Sequence, residues 1–195
     1  MAGYPGMLVL VVGTSGSGKG ALMKRARELH PEIVFPVSCT TRAMRPGEMD
    51  GEAYHFITED EFTRRIEGGE FLEWASYGGY RYGTLASEIL PALEAGKLIL
   101  REVEVQGARS IRKLLPAESI AVIYIHAGPW EHLERRIRGR APISEEDLAA
   151  RQRHYEDEQS FKAEATYVVD NPDGKFKEAD EAFESIITGL LADAR

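Results

Sequence analysis

Residues 7–12, MLVLVV, are continuously apolar and rich in β-branched side chains. Such a run predicts a strand buried on both faces, as in a parallel sheet. A glycine-rich stretch follows, then ALMKRARELH, whose apolar residues recur at helical spacing until Pro31 stops them. A second apolar run, IVFPV, leads into the polar stretch SCTTRAMRPGEMDGEAYHF, a loop with strand fragments. Thr58 and Glu61 make a capping-box pattern ahead of a short helix, EDEFTRRIEGG. FLEWASYGGYRYGT predicts two short strands turning at Gly78 and Gly79. Trp74 in this segment reads as a packing aromatic. Beyond it come a helix through ASEILPALEAG, a strand KLILREVEV, an apolar strand IAVIYIH and a basic helix PWEHLERRIRGR. Ser144, followed by three acidic residues, caps a long polar helix running to about Phe161. A last strand, TYVVDN, and an amphipathic helix, EADEAFESIITGLLADA, complete the pattern.

Strands alternating with helices predict an α/β fold, an open and mostly parallel sheet with helices on both faces. The polar stretch from about 36 to 85 is too long for a simple connection and reads as an inserted recognition lobe. At 195 residues the chain suits one domain with a sizeable core. The net charge of −8 argues against a nucleic-acid partner. No stretch suits a bilayer crossing, so no membrane association is expected. Cys39 is the only cysteine and the start has no basic leader, which points to a reducing, cytoplasmic setting. The five histidines show no metal-ligand spacing.

The glycine-rich stretch GTSGSGKGAL carries the clearest chemistry. Gly13, Gly18 and Lys19 fit the phosphate-binding pattern G-x-x-x-x-G-K between a strand and a helix. Backbone N–H groups and the helix dipole then face an anion, so Gly13, Thr14, Ser15, Gly16, Ser17, Gly18, Lys19, Gly20 and Ala21 form the candidate ATP-binding loop. The hydroxyl expected after the lysine is missing, because position 20 is glycine and position 21 alanine. Arginines cluster around it in sequence: Arg42 and Arg45 in the polar lobe, Arg136 and Arg140 one helical turn apart, and Arg151 on the next helix. Phosphoryl transfer needs such cations.

SCTTRAMRPGEMDGEAYHF, FLEWASYGGYRYGT and VQGARSIRK, in this order after the loop, resemble guanylate kinases over nearly the whole chain. The resemblance implies a P-loop NTPase-type parallel five-stranded sheet flanked by helices, with a GMP-binding lobe and a mobile lid. In a single domain, the core would be about 4–35, 86–126 and 158–195, the lobe about 36–85, and the lid about 127–157. It implies that Ser38, Arg42, Arg45, Tyr54 and Tyr82 hold the GMP phosphate, with Glu48 in the same GMP-binding set. Glu73 would accept from guanine N1–H and the 2-amino group, and Thr84 would assist at O6. Glu102 and Glu104 stand where the family has D-x-D and join the GMP side. As residues of a strand they would point to the same side. Lys19, Arg136, Arg140 and Arg151 would be catalytic, Asn171 would lie near the adenine, and Mg²⁺ would enter with ATP. No direct metal ligand is assigned; Glu102 would reach the ion through water. ATP and GMP would be the partners of a monomer or weak homo-oligomer.

Three positions depart from the family. Gly20 and Ala21 replace the usual hydroxyls, as adenylate kinases also have glycine after the lysine. The Glu102 and Glu104 carboxylates sit one methylene further out than aspartates would. Arg101 stands where the core strand is usually apolar. Two other functions remain open on this reading: a guanylate-kinase-like binding module without catalysis, and a kinase with another phosphorylated acceptor. Retention of Lys19 and the lid arginines argues against the first, and Glu73 against the second.

Overall fold

The computed structural model describes residues 3–14, 16–52, 54–140 and 143–193, without the side chains of Tyr77, Arg140, His154 and Glu156. Ser15 lies outside the described residues. The central sheet has four parallel strands in the order β6-β1-β7-β8: β1 (Met7–Gly13), β6 (Leu98–Glu102), β7 (Ile120–His126) and β8 (Tyr167–Asp170). Side chains of β1 alternate between two cores. Val9 and Val11 pack with Leu22 and Ala26 of α1 (Lys19–Leu29) and with Phe183 and Ile187 of α7 (Phe176–Asp193). Leu8, Leu10 and Val12 pack with Ile89 and Leu93 of α3 (Ala86–Glu94) and with Ala108 and Ile111 of α4 (Val105–Leu114). The unbroken apolar run of β1 thus serves two helical layers.

The expected fifth strand is reduced to one bridge. Val34 pairs with Ile99 beside β6, donating to the Leu98 carbonyl at 3.0 Å and accepting from the Leu100 amide at 2.9 Å. The next rung of a parallel ladder would need an N–H at position 36, and Pro36 has none. The strand predicted through Val105 also ends early, at Glu102. Glu104 is instead the N-cap of α4, with φ −78° and ψ 160°. Strand alternation therefore does not relate its direction to that of Glu102. The helix α4 is absent from the sequence-based reading because V-E-V mimics strand alternation. Burial of Val105, Ala108 and Ile111 shows the three-residue spacing that makes it a helix.

The polar stretch folds as a second sheet, β3-β2-β5-β4, with β2 (Cys39–Thr40), β3 (His55–Phe56), β4 (Phe71–Tyr77) and β5 (Tyr80–Leu85). Helix α2 (Glu59–Glu67) buries Phe62 against Cys39, Leu85 and Phe71. Thr58 caps it by accepting from the Glu61 amide at 3.1 Å, while the Glu61 carboxylate turns to Arg64 and Arg65. Gly78 and Gly79 turn the hairpin with φ of 58° and 81°, the pair of positive values a tight two-residue turn requires. Trp74 does not join a core: it is 47% exposed, with its ring edge-to-face with that of Phe62. After β7, helices α5 (Trp130–Arg140) and α6 (Glu145–Ser160) lead back to the sheet, α6 capped by Ser144 accepting from the Asp147 amide.

Candidate active site

The glycine-rich loop joins β1 to α1, as the sequence predicts. Gly16 and Gly18 have φ of 83° and 95°, values that side chains rarely tolerate. Gly18 has a second constraint: a Cβ there would lie 2.5 Å from Asn171 Nδ2. Asn171, buried at the end of β8, donates that Nδ2 to the Ser17 carbonyl at 2.8 Å. It therefore braces the loop. Lys19 is buried and folds back, donating to the Gly13 carbonyl and to the Thr14 carbonyl at 3.3 Å, with Glu102 4.0 Å away. The hydroxyls of Thr14 and Ser17 are buried without a partner among the described residues. Buried polar atoms of this kind call for a partner. Gly20 and Ala21 lie in the first turn of α1 and are exposed.

A second cluster forms on the small sheet. Ser38 is buried, and its hydroxyl has no partner among the described residues. Arg42 lies 5.5 Å over the rings of both Tyr54 and Phe56, and Tyr54 meets Tyr82 edge-on. Glu48 grips the Arg42 guanidinium with both oxygens, at 2.8 and 3.0 Å, and takes the Arg45 amide at 2.7 Å. This fork holds the Glu48 carboxyl below its usual range and raises the Arg42 pKa. Glu48 thus meets the site through Arg42, while the Arg45 side chain is exposed.

The base-reading pair of the resemblance is also assembled. An irregularity in β4 between Phe71 and Glu73 sets Glu73 opposite Thr84 of β5. The Thr84 hydroxyl donates to Glu73 Oε1 at 2.6 Å. Behind them stands Arg101, whose Nε donates to Thr84 Oγ1 at 3.1 Å. Gly107, in the first turn of α4, makes room for the carboxylate: a Cβ there would lie 3.3 Å from Glu73 Oε2.

On α5, Arg136 reaches across to the loop. It donates to the Gly16 carbonyl at 3.4 Å, the Asn171 carbonyl at 2.9 Å and Asp173 Oδ1 at 2.8 Å. Arg140 ends α5, and its side chain lies outside the described residues. Arg151 lies on α6. Further along α6, burial pushes the Glu158 carboxyl up to about 7, reinforced by the neighbouring Glu104 and opposed by Lys19.

Arg101, Glu158, Gly107 and Asp173 are the residues that the sequence-based reading left without a role. Arg101 did carry a signal there, as a charge in an apolar strand. Glu158 and Asp173 carried none, since each sits among other acids in sequence. Among the described residues, no group of three or more His, Cys, Asp or Glu is placed to hold a metal ion. Also among these residues, no helix is long and apolar enough to cross a membrane.

A glycine-rich loop between a parallel strand and a helix, with a buried lysine and an arginine, Arg136, arriving from a separate helix, defines a P-loop nucleotide-binding protein. Within that class the chain belongs to the guanylate kinase family, whose family model matches residues 6–189. A guanylate kinase of Trichormus variabilis is 41% identical over 184 residues, 94% of this chain and 90% of the relative. One from Rubrobacter xylanophilus is 38% identical over 187 residues, 96% of each chain. The crystal structure of a guanylate kinase from Anaplasma phagocytophilum superimposes with a TM-score of 0.73 at 27% identity, covering all of this chain and 89% of that one.

Proposed function

We propose that the chain is an ATP-dependent kinase that phosphorylates GMP, and dGMP, to the diphosphate. One observation carries this reading. Adjacent residues at the end of β6 serve two sites: Arg101 bonds to Thr84 of the base-reading pair, and Glu102 faces Lys19 of the phosphate loop at 4.0 Å. Donor and acceptor sites therefore meet at one strand end, where in-line transfer needs them.

ATP phosphates would lie on the loop amides, with the Thr14 and Ser17 hydroxyls finding acceptors there. Lys19 would exchange its Gly13 and Thr14 carbonyls for phosphate oxygens. Ser38, Arg42, Arg45, Tyr54 and Tyr82 would hold the GMP phosphate, a dianion suited to guanidinium forks and hydroxyls. A GMP phosphate oxygen attacks the γ-phosphorus as the bond to ADP breaks. Arg136, Arg140 and Arg151 neutralise charge on the transferring group. Residues of about 127–157 act as a lid and those of about 36–85 as the GMP lobe, closing to exclude water.

The residues fit Mg²⁺ as an ion carried by ATP. Position 20 offers no hydroxyl, yet Mg²⁺ keeps several waters readily, and Glu102 is an oxygen donor at the right strand end for a contact through water. When bound, the ion supplies neutralisation of the phosphates. Cys39, the only cysteine, is a buried thiol, in keeping with a cytoplasmic setting.

The test is release of ADP from ATP–Mg²⁺ against GMP, dGMP, AMP, UMP and CMP. Selective turnover of GMP and dGMP is expected. No turnover with any acceptor would favour the binding-module reading, and turnover of another acceptor alone would favour the altered-acceptor reading.

A further inference from the structure

Arg101 is the unexplained charge of the core strand, and its surroundings are those of the acceptor-base pocket. Its Nε donates to Thr84 Oγ1, and Thr84 in turn donates to Glu73 Oε1. A threonine hydroxyl has a single hydrogen to give. In this chain of bonds that hydrogen goes to a carboxylate at 2.6 Å, a charged acceptor stronger than a carbonyl oxygen. Thr84 is thereby left without a donor for guanine O6. The NH1 and NH2 groups of Arg101 have no acceptor among the described residues, although the side chain is partly buried.

We propose that Arg101 is a specificity residue of this site: its guanidinium donates to the O6 edge of the guanine whose N1–H and 2-amino group are taken by Glu73. The proposal rests on the GMP reading above. The order of protein groups runs carboxylate, hydroxyl, guanidinium, and the order along the base runs 2-amino, N1–H, O6, N7. Acceptors thus face donors and donors face acceptors. A planar guanidinium suits an edge with two adjacent acceptors. Adenine would present its 6-amino donor to the same cation and leave both unpaired, so Arg101 would reject AMP as Glu73 does, by a separate contact. Burial lowers the Arg101 pKa, and the carboxylates of Glu73 and Glu102 oppose that shift.

The experiment compares kcat and KM for GMP, 6-thio-GMP and IMP in the wild type, R101L and R101K. 6-Thio-GMP keeps both donors for Glu73 and weakens the acceptor at position 6. IMP keeps O6 and loses the 2-amino group. Wild type should prefer GMP over both. R101L should raise KM for GMP roughly 5- to 150-fold, the range of one good arginine–guanine contact, with a smaller change in kcat. It should lose the GMP preference over 6-thio-GMP and keep the preference over IMP. R101K should fall between the two and carries the same comparison if R101L does not fold. An unchanged KM and an unchanged 6-thio-GMP ratio would overturn the proposal. So would the collapse of both ratios together, which would mean that Arg101 merely props Thr84 and Glu73. A wild type that does not bind GMP by calorimetry would overturn the acceptor reading itself, and this inference with it.

Discussion

The carboxylate of Glu102 faces the place where residue 20 would carry a side chain: a Cβ on Gly20 would lie 4.0 Å from Glu102 Oε2, with no nearer neighbour. Gly20 stands in the first turn of α1 and is not among the glycines with positive φ. Serine therefore fits there without strain. In the kinase reading, Gly20→Ser adds a hydroxyl between the phosphate loop and Glu102. The Mg²⁺ concentration for half-maximal rate should fall several-fold, on the scale of about 1–2 kcal/mol for a hydrogen bond to a charged group. The rate at saturating Mg²⁺ should change little. An unmoved Mg²⁺ titration would show that position 20 is not near the ion.

Lys19→Met should lower kcat by at least about 100-fold, the scale of removing one charge-stabilising group. GMP affinity measured by calorimetry should stay within about two-fold, because Lys19 belongs to the donor loop. Turnover near wild type would contradict the loop's role.

Glu73→Gln should reduce the preference for GMP over AMP by about 100-fold or more, since an amide cannot accept from both guanine donors at once. It also changes the partner of Thr84, whose hydroxyl donates to Glu73 in the structure. The ratio of kcat/KM for the two nucleotides is the measurement, and an unchanged ratio places base recognition elsewhere.

Glu48→Ala should raise KM for GMP several-fold while leaving kcat near wild type. Its carboxylate holds Arg42 and the Arg45 amide, so the loss acts through the orientation of Arg42. A fall in kcat with unchanged KM would contradict that role.

Stability of the nucleotide-free protein should depend on Glu158. Its carboxyl is raised from 4.5 to about 7, with burial the largest cause. The native state therefore holds a proton that the unfolded chain loses first. This contribution is complete below about pH 4.5 and is lost as pH rises through about 7. Glu158→Gln keeps the neutral hydrogen-bonding group at all pH values. Relative to wild type, the variant should gain on the order of 1–3 kcal/mol between pH 5 and pH 8 in denaturant unfolding. Parallel pH profiles would refute it.

What local pattern determines was legible in the chain. The β1 run, the glycine-rich loop, the Thr58 and Ser144 caps and the Gly78 and Gly79 turn each follow from neighbouring residues, because backbone sterics and short-range hydrogen bonds act within a few positions. The acceptor residues were named through the resemblance of their motifs to the family, and the structure brings Arg42, Tyr54 and Tyr82 of that set together. Tertiary structure alone decided the rest. The fifth strand shrank to a bridge at Val34 since the missing Pro36 N–H matters only against a partner carbonyl. Glu104 left the strand because α4 found a buried face for Val105, Ala108 and Ile111. Arg101 acquired its surroundings when folding brought the end of β6 within hydrogen-bond reach of Thr84, 17 positions away in sequence. The Glu158 proton depends on burial and on Glu104, both supplied by packing. Charges in a linear chain are solvated alike; folding sets the desolvation and the partners that tell a structural charge from a chemical one.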